Sequence, residues 1–273
     1  MIDLGSYLRC FAQRSNTHIS HLPLIGWDQD WSTAAGQGIR IGVLDTGFAA
    51  DLPDLAGADV VSQNFTGSKP SQTLPTGHGT ASVSLLVGQG KSLIRGIVPQ
   101  ALLFAAQVVG KDGYAKPEAV ARAITWLIAS GVHIIAIPLG DGIGYPEITS
   151  AIVEGNQQGV FFLASVGNDF PKPTMFPACL PQVVAVGASD SQGNLLPGCC
   201  RLPKLDLVVP TANLFVPDQK GVFQLFSGSS AACVLAAGVA ALALSHRSNQ
   251  DKTALLKSLL HKPSTLNLGE FHV

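Results

Sequence analysis

The sequence predicts an α/β fold in three layers, a mostly parallel central sheet with helices on both faces. Three observations predict it. Short apolar runs alternate with helical patterns along most of the chain, as when strands buried on both faces are joined by crossover helices. Apolar residues make up 47% of the sequence and charged ones 13%, enough for a deep two-sided core. Glycine and alanine are abundant, as close packing of helix on sheet requires.

Residues 1–26 are polar and irregular. They read as an N-terminal extension, a short prosegment or docking segment, ahead of a single domain over 27–273. Ile39–Leu44 is an apolar run that stops at Asp45-Thr46-Gly47, so a buried strand entering a turn is expected. A helix of small residues is expected from His78 to about Val87, and a strand over Ala101–Val108. Pro117–Ser130 reads as a helix. Pro117 suits its first turn, Ala119, Val120, Ala123, Ile124, Leu127 and Ile128 mark one face, and Gly131 ends it. Strands are expected at Val132–Ile137, Val160–Ser165, Val183–Val186 and Leu205–Val209, with a helix at Glu147–Gln158 between the first two. Ser230–Ser245 reads as a long alanine-rich helix and Asp251–Leu260 as a shorter one. No internal repeat is visible.

Parallel sheets take ligands at the carboxyl ends of their strands. Asp45 and Asn168 each follow the end of an expected strand. His78 and Ser230 each begin an expected helix. All four can therefore gather on one edge, where they form the parts list for acyl transfer by an activated serine. Ser230 would be the nucleophile, with a helix N-terminus to favour developing negative charge. His78, between Gly77 and Gly79, would be the base and then the acid. Asp45 would orient the imidazole and stabilise its cation, and Asn168 would donate to the oxyanion. Each has an ordinary reading as well: a helix cap for Ser230, a turn residue for Asp45 or Asn168. Asp-Thr-Gly also occurs in aspartic proteases, but those are all-β, and the alternating pattern here is not. The other histidines read as surface or packing residues.

A formal net charge of −1 gives no basic patch for nucleic acid. No run of eighteen apolar residues suggests a membrane span, and Met1–Arg9 lacks the apolar core of a secretory signal. Cys10, Cys179, Cys199, Cys200 and Cys233 are odd in number and fit neither a disulfide framework nor a zinc knuckle, so they read as free thiols in a reducing compartment. A cytoplasmic monomer acting on a peptide or protein is expected. Gly90-Lys91-Ser92 imitates a phosphate loop, but Leu85 stands where that loop needs glycine.

The chain resembles the subtilisin-like serine proteases, the subtilase family, from about Trp27 to Ser245. The residues that carry the resemblance are Ile41–Gly47, Gly77–Thr80, Val160–Asn168, Phe176-Pro177-Ala178 with Pro181–Ala188, Leu205–Pro210 and Ser227–Ala232. The resemblance implies a subtilisin-like fold and an endopeptidase working through an acyl-enzyme, with Asp45, His78 and Ser230 as triad and Asn168 as oxyanion donor. It also implies a groove in which Pro138, Leu139 and Gly140 pair with an extended peptide. Those residues, with Ala164, Ser165, Val166 and Gly167, would line an open, mostly apolar slot for the residue supplying the scissile carbonyl, the acyl-side residue. Asp169 at its rim would favour a basic side chain, and Val109 and Val120 are candidates for a second apolar pocket. The chain departs from the family pattern in Ser229 for threonine, Val234 for proline, Pro138 for serine, and in Leu196–Arg201. Asp54 matches a family calcium aspartate, but Val87–Arg95 contains no Asp, Asn or Glu to complete a shell, so neither metal nor other cofactor is expected. The departures leave an alternative, a pseudoprotease kept as a peptide-binding scaffold. An esterase or transpeptidase would share the acyl-enzyme.

Overall fold

The structure, a computed structural model, describes residues 35–67, 77–92, 94–212 and 214–246; the predicted extension and the predicted helix at Asp251–Leu260 lie outside them. In chain order the elements are β1 (Arg40–Asp45), a 3-10 turn (Pro53–Leu55), β2 (Val60–Asn64), α1 (His78–Val87), β3 (Leu102–Gln107), α2 (Pro117–Ala129), β4 (Ile134–Ile137), α3 (Pro146–Gln157), β5 (Phe161–Ser165), β6 (Val183–Ser189), β7 (Leu207–Pro210), the hairpin strands β8 (Phe215–Pro217) and β9 (Phe223–Leu225), and α4 (Ser229–His246). Seven strands form one sheet in the order β2-β3-β1-β4-β5-β6-β7. Every neighbouring pair in it is parallel, so the expected three-layer α/β fold is present, with a sheet parallel throughout.

Alternation along the strands sorts side chains to two cores. Ile41 and Val43 of β1, with Ile134, Ala136 and Leu163, face α1 and α4. Leu44, Ile135, Ile137 and Phe162 face α2 and α3. Gly42 lies on the second face, where a Cβ would come within 2.8 Å of Leu127 Cδ1, so its missing side chain lets α2 sit close. α2 buries the predicted face at Ala119, Val120, Ala123, Ile124 and Leu127, and leaves Ile128 half-buried. In α4, by contrast, Ala231, Cys233, Leu235, Val239 and Leu242 are all fully buried, which is why its sequence is apolar all round.

β2 and the β8–β9 hairpin escaped the sequence reading. β2 is an edge strand, half-exposed and polar at Ser62, Gln63 and Asn64, so it carries no apolar run. The hairpin strands are too short to show a period.

The strand order reverses at β1, which pairs with β3 on one side and β4 on the other. Such a switch point leaves a crevice at the carboxyl ends of the strands. Asp45 ends β1, and Pro138 follows β4 directly.

Candidate active site

Asp45 is 2% exposed, and a buried carboxylate needs donors. It has three: the Thr46 N–H at 2.6 Å, the His78 ring at 2.7 Å and the Ser82 hydroxyl at 2.7 Å. A carboxylate only accepts, so His78 Nδ1 carries the hydrogen and Nε2 is left as the basic nitrogen of the neutral ring. Ser82 lies one turn beyond His78 on α1, so one helix face supplies both partners.

The N-terminus of α1 is held against the turn after β1. The Gly79 N–H donates to Thr46 Oγ1 at 2.8 Å, and the Ala49 N–H to Thr80 Oγ1 at 3.1 Å. A Cβ on Gly79 would collide with the Thr46 carbonyl oxygen and lie 2.7 Å from that of Gly47. The Phe226 ring meets His78 edge to face at 5.0 Å. Burial disfavours the charged imidazole, but the charge and hydrogen bond of Asp45 outweigh it and hold the His78 pKa above the ordinary 6.5.

Ser230 is the second residue of α4. Its hydroxyl donates to the Pro138 carbonyl at 3.0 Å, and among the described residues no hydrogen bond joins it to His78. Catalytic hydrogen bonds are often loose without substrate. Asn168 is exposed. Its Oδ1 accepts the Ser229 N–H at 2.9 Å, which turns Nδ2 outward. Ser229 Oγ in turn accepts the Gly167 N–H at 3.1 Å. A Cβ on Gly228, whose φ is +92, would lie 2.8 Å from Asn168 Oδ1. Ser229 thus clamps the serine helix to the asparagine loop, a role its place in the sequence did not reveal. Ser82 was missed too, although its spacing of four from His78 was a usable signal.

The remaining predicted residues divide. Val109, Val120, Leu139 and Gly140 line one cavity of about 380 Å³, together with Tyr114 and Ile148. Pro138 is buried and offers its carbonyl. Ala164, Ser165 and Val166 are at most 3% exposed, and Ala164 and Val166 pack into the α2–α3 core. Their side chains are thus buried, a correction to the reading that these side chains line an open slot. Gly167 does face the gap toward Gly140, but Met175 stands in it, so the slot is not open. Asp169 is exposed, and Lys172 Nζ lies 3.3 Å from its carboxylate.

The family's calcium does not fit at Asp54. Its carboxylate accepts the main-chain N–H groups of Ser92 at 2.7 Å and Ile94 at 3.2 Å. Among the described residues no group of three His, Cys, Asp or Glu side chains is placed to hold a metal ion. No helix among them is long and apolar enough to cross a membrane.

Comparison with known proteins gives a concordant picture. A family model described as the subtilase family matches residues 36–270. The chain is 32% identical to a thermostable alkaline protease of Halalkalibacterium halodurans over 87% of this chain and 67% of that protein. It is 28% identical to thermitase of Thermoactinomyces vulgaris over 86% of each. Among solved structures, a prenylagaramide maturation protease superposes with a TM-score of 0.76 at 25% identity, covering 89% of this chain and 90% of that one. A patellamide maturation protease gives 0.70 at 26% identity, over 82% and 85%.

Proposed function

The chain belongs to the subtilase family of serine proteases, and from that premise we propose that it hydrolyses peptide bonds with Ser230 as nucleophile, His78 as base, Asp45 as orienter and Asn168 as oxyanion donor. The observation that carries the assignment is the bond of 2.7 Å between His78 Nδ1 and buried Asp45, which leaves Nε2 as the basic nitrogen of the ring.

The Ser230 hydroxyl leaves Pro138, gives its proton to His78 Nε2 and attacks the scissile carbonyl carbon. The oxyanion is held by Asn168 Nδ2 and the Ser230 N–H. Asp45 stabilises the imidazolium, which then protonates the leaving amine. Water repeats the steps on the acyl-enzyme and releases the acid. Substrate lies along Pro138–Gly140, with an apolar side chain in the cavity lined by Val109, Val120 and Leu139.

Two solved relatives are named as maturation proteases, which supports a narrow processing role over general digestion. Cys179, Cys199, Cys200 and Cys233 are all unpaired, which supports a reducing, intracellular setting. A second reading, a pseudoprotease, draws on the resting bond from Ser230 to Pro138 instead of His78.

Labelling with a fluorophosphonate probe decides between them. The protein should label, and Ser230→Ala should not. A folded protein that stays unlabelled sinks the endopeptidase reading.

A further inference from the structure

Lys204 stands apart from the other described lysines in where its head group lies. An ammonium has three donors and no acceptor, and here all three have a partner. Nζ donates to the Leu180 carbonyl at 2.6 Å and to the Val183 carbonyl, and Asp206 Oδ2 lies 3.2 Å away. The Lys204 side chain is only 22% exposed, so these contacts are made largely out of water. Lys91, Lys111, Lys116, Lys172 and Lys220 are all exposed.

The three oxygens are held in place by other bonds as well. Leu180 and Val183 belong to the turn that enters β6, closed by the Val183 N–H on the Leu180 carbonyl at 3.2 Å. Asp206 is strapped to β6 twice. Its N–H donates to the Ala185 carbonyl at 2.9 Å, and its Oδ2 accepts the Ala185 N–H at 2.9 Å. The Lys204 backbone is fixed too: its carbonyl accepts the Thr174 hydroxyl at 2.5 Å, and the Thr174 N–H donates to the Leu202 carbonyl at 2.6 Å. Two carbonyls and a carboxylate aimed at one point are oxygen donors of the kind that hold a hard cation. A side chain fills that point here. The turn it holds follows Phe176 and Pro177, which wall the cavity of about 380 Å³.

We propose that the Leu180 and Val183 carbonyls and the Asp206 carboxylate form a cation site whose ion is built into the chain as Lys204 Nζ. The site takes a monovalent cation of ammonium size, and with the lysine in place it needs no free ion. One positive charge matches the one carboxylate, whereas a divalent ion such as calcium would meet too few oxygens. The assignment does not depend on the chemistry at Ser230.

Lys204→Ala empties the site and leaves its oxygens without a cation. In choline chloride, whose cation is too large to enter, the melting temperature should fall by about 5 °C, the scale of losing charge-assisted hydrogen bonds in a chain of this size. Potassium or ammonium chloride in place of choline, at the same ionic strength, should restore most of the loss and do so more at higher concentration, as mass action requires. The intact protein should melt at the same temperature in all three salts. Adding Asp206→Asn to Lys204→Ala should abolish the recovery. The proposal is overturned if potassium and ammonium do no more than choline for Lys204→Ala, or if the intact protein responds to them as the variant does. If Lys204→Ala does not fold in any of the three salts, the intact protein decides by reductive methylation read by mass spectrometry. Lys204 must leave its partners to react, so it should be modified about 10-fold more slowly than Lys111 and Lys116; equal rates overturn the proposal.

Discussion

At the scale of single residues, the His78–Asp45 pair sets how activity follows pH. Burial works against the imidazolium, while the charge and hydrogen bond of Asp45 work for it and win. The base must be neutral to accept a proton, so kcat/KM should rise with pH through a midpoint above 6.5. Asp45→Asn removes the charge but not the burial. The midpoint should then move to lower pH while the maximal rate falls by about 10⁴-fold, because the imidazole loses its orienting anion. A pH–rate profile checks both, and a midpoint that stays put in the variant would show that the carboxylate does not govern His78. The pair also stabilises the fold at low pH, since a raised histidine pKa favours the folded state below 6.5 and the contribution fades as pH rises through the folded value. The candidates Asp45, His78, Ser230 and Asn168 stood out in the sequence because each sits beside small residues at an element boundary, and the structure joins the first two. Ser229 was not, because its hydrogen bonds reach 62 and 61 residues back along the chain, and no local pattern records that distance.

At the scale of elements, the seat of α1 against the β1 turn is the sensitive joint. Gly79→Ala forces a methyl group against the Thr46 and Gly47 carbonyls. The helix start must shift and carry His78 with it. Displacement of about 1 Å at a catalytic group costs on the order of 10²-fold in rate, and that loss in kcat/KM is expected here with a lower melting temperature. Gly142→Ala is the control: its Cβ would meet nothing within 4 Å, and both quantities should stay unchanged. Elements were legible where burial is one-sided or complete, as in α2 and α4. β2 was lost because an edge strand with one neighbour is free to be polar.

At the scale of the whole molecule, the loop after α1 is fastened to the body of the fold by Asp54, whose carboxylate accepts main-chain N–H groups where the family resemblance suggests a metal. We propose that no calcium binds there. The melting temperature should not change on adding EDTA or calcium, and Asp54→Ala should lower it equally in both, since it strands the buried Ile94 N–H at a cost of about 1–3 kcal/mol. A calcium-dependent rise in melting temperature that Asp54→Ala abolishes would overturn this. That the loop lacks further oxygen-bearing acids was legible in the sequence; that the Ser92 and Ile94 N–H groups meet Asp54 was not.

α4 begins at Ser229, after every strand of both sheets, and it is buried on all sides by the face of the main sheet and α1. During synthesis the sheet, His78 and Asp45 all leave the ribosome before Ser230 does. Until α4 docks, the chain has an uncovered apolar face and Ser230 is not yet held beside Pro138. On the proposed mechanism, assembly order therefore delays cleavage until α4 covers the sheet.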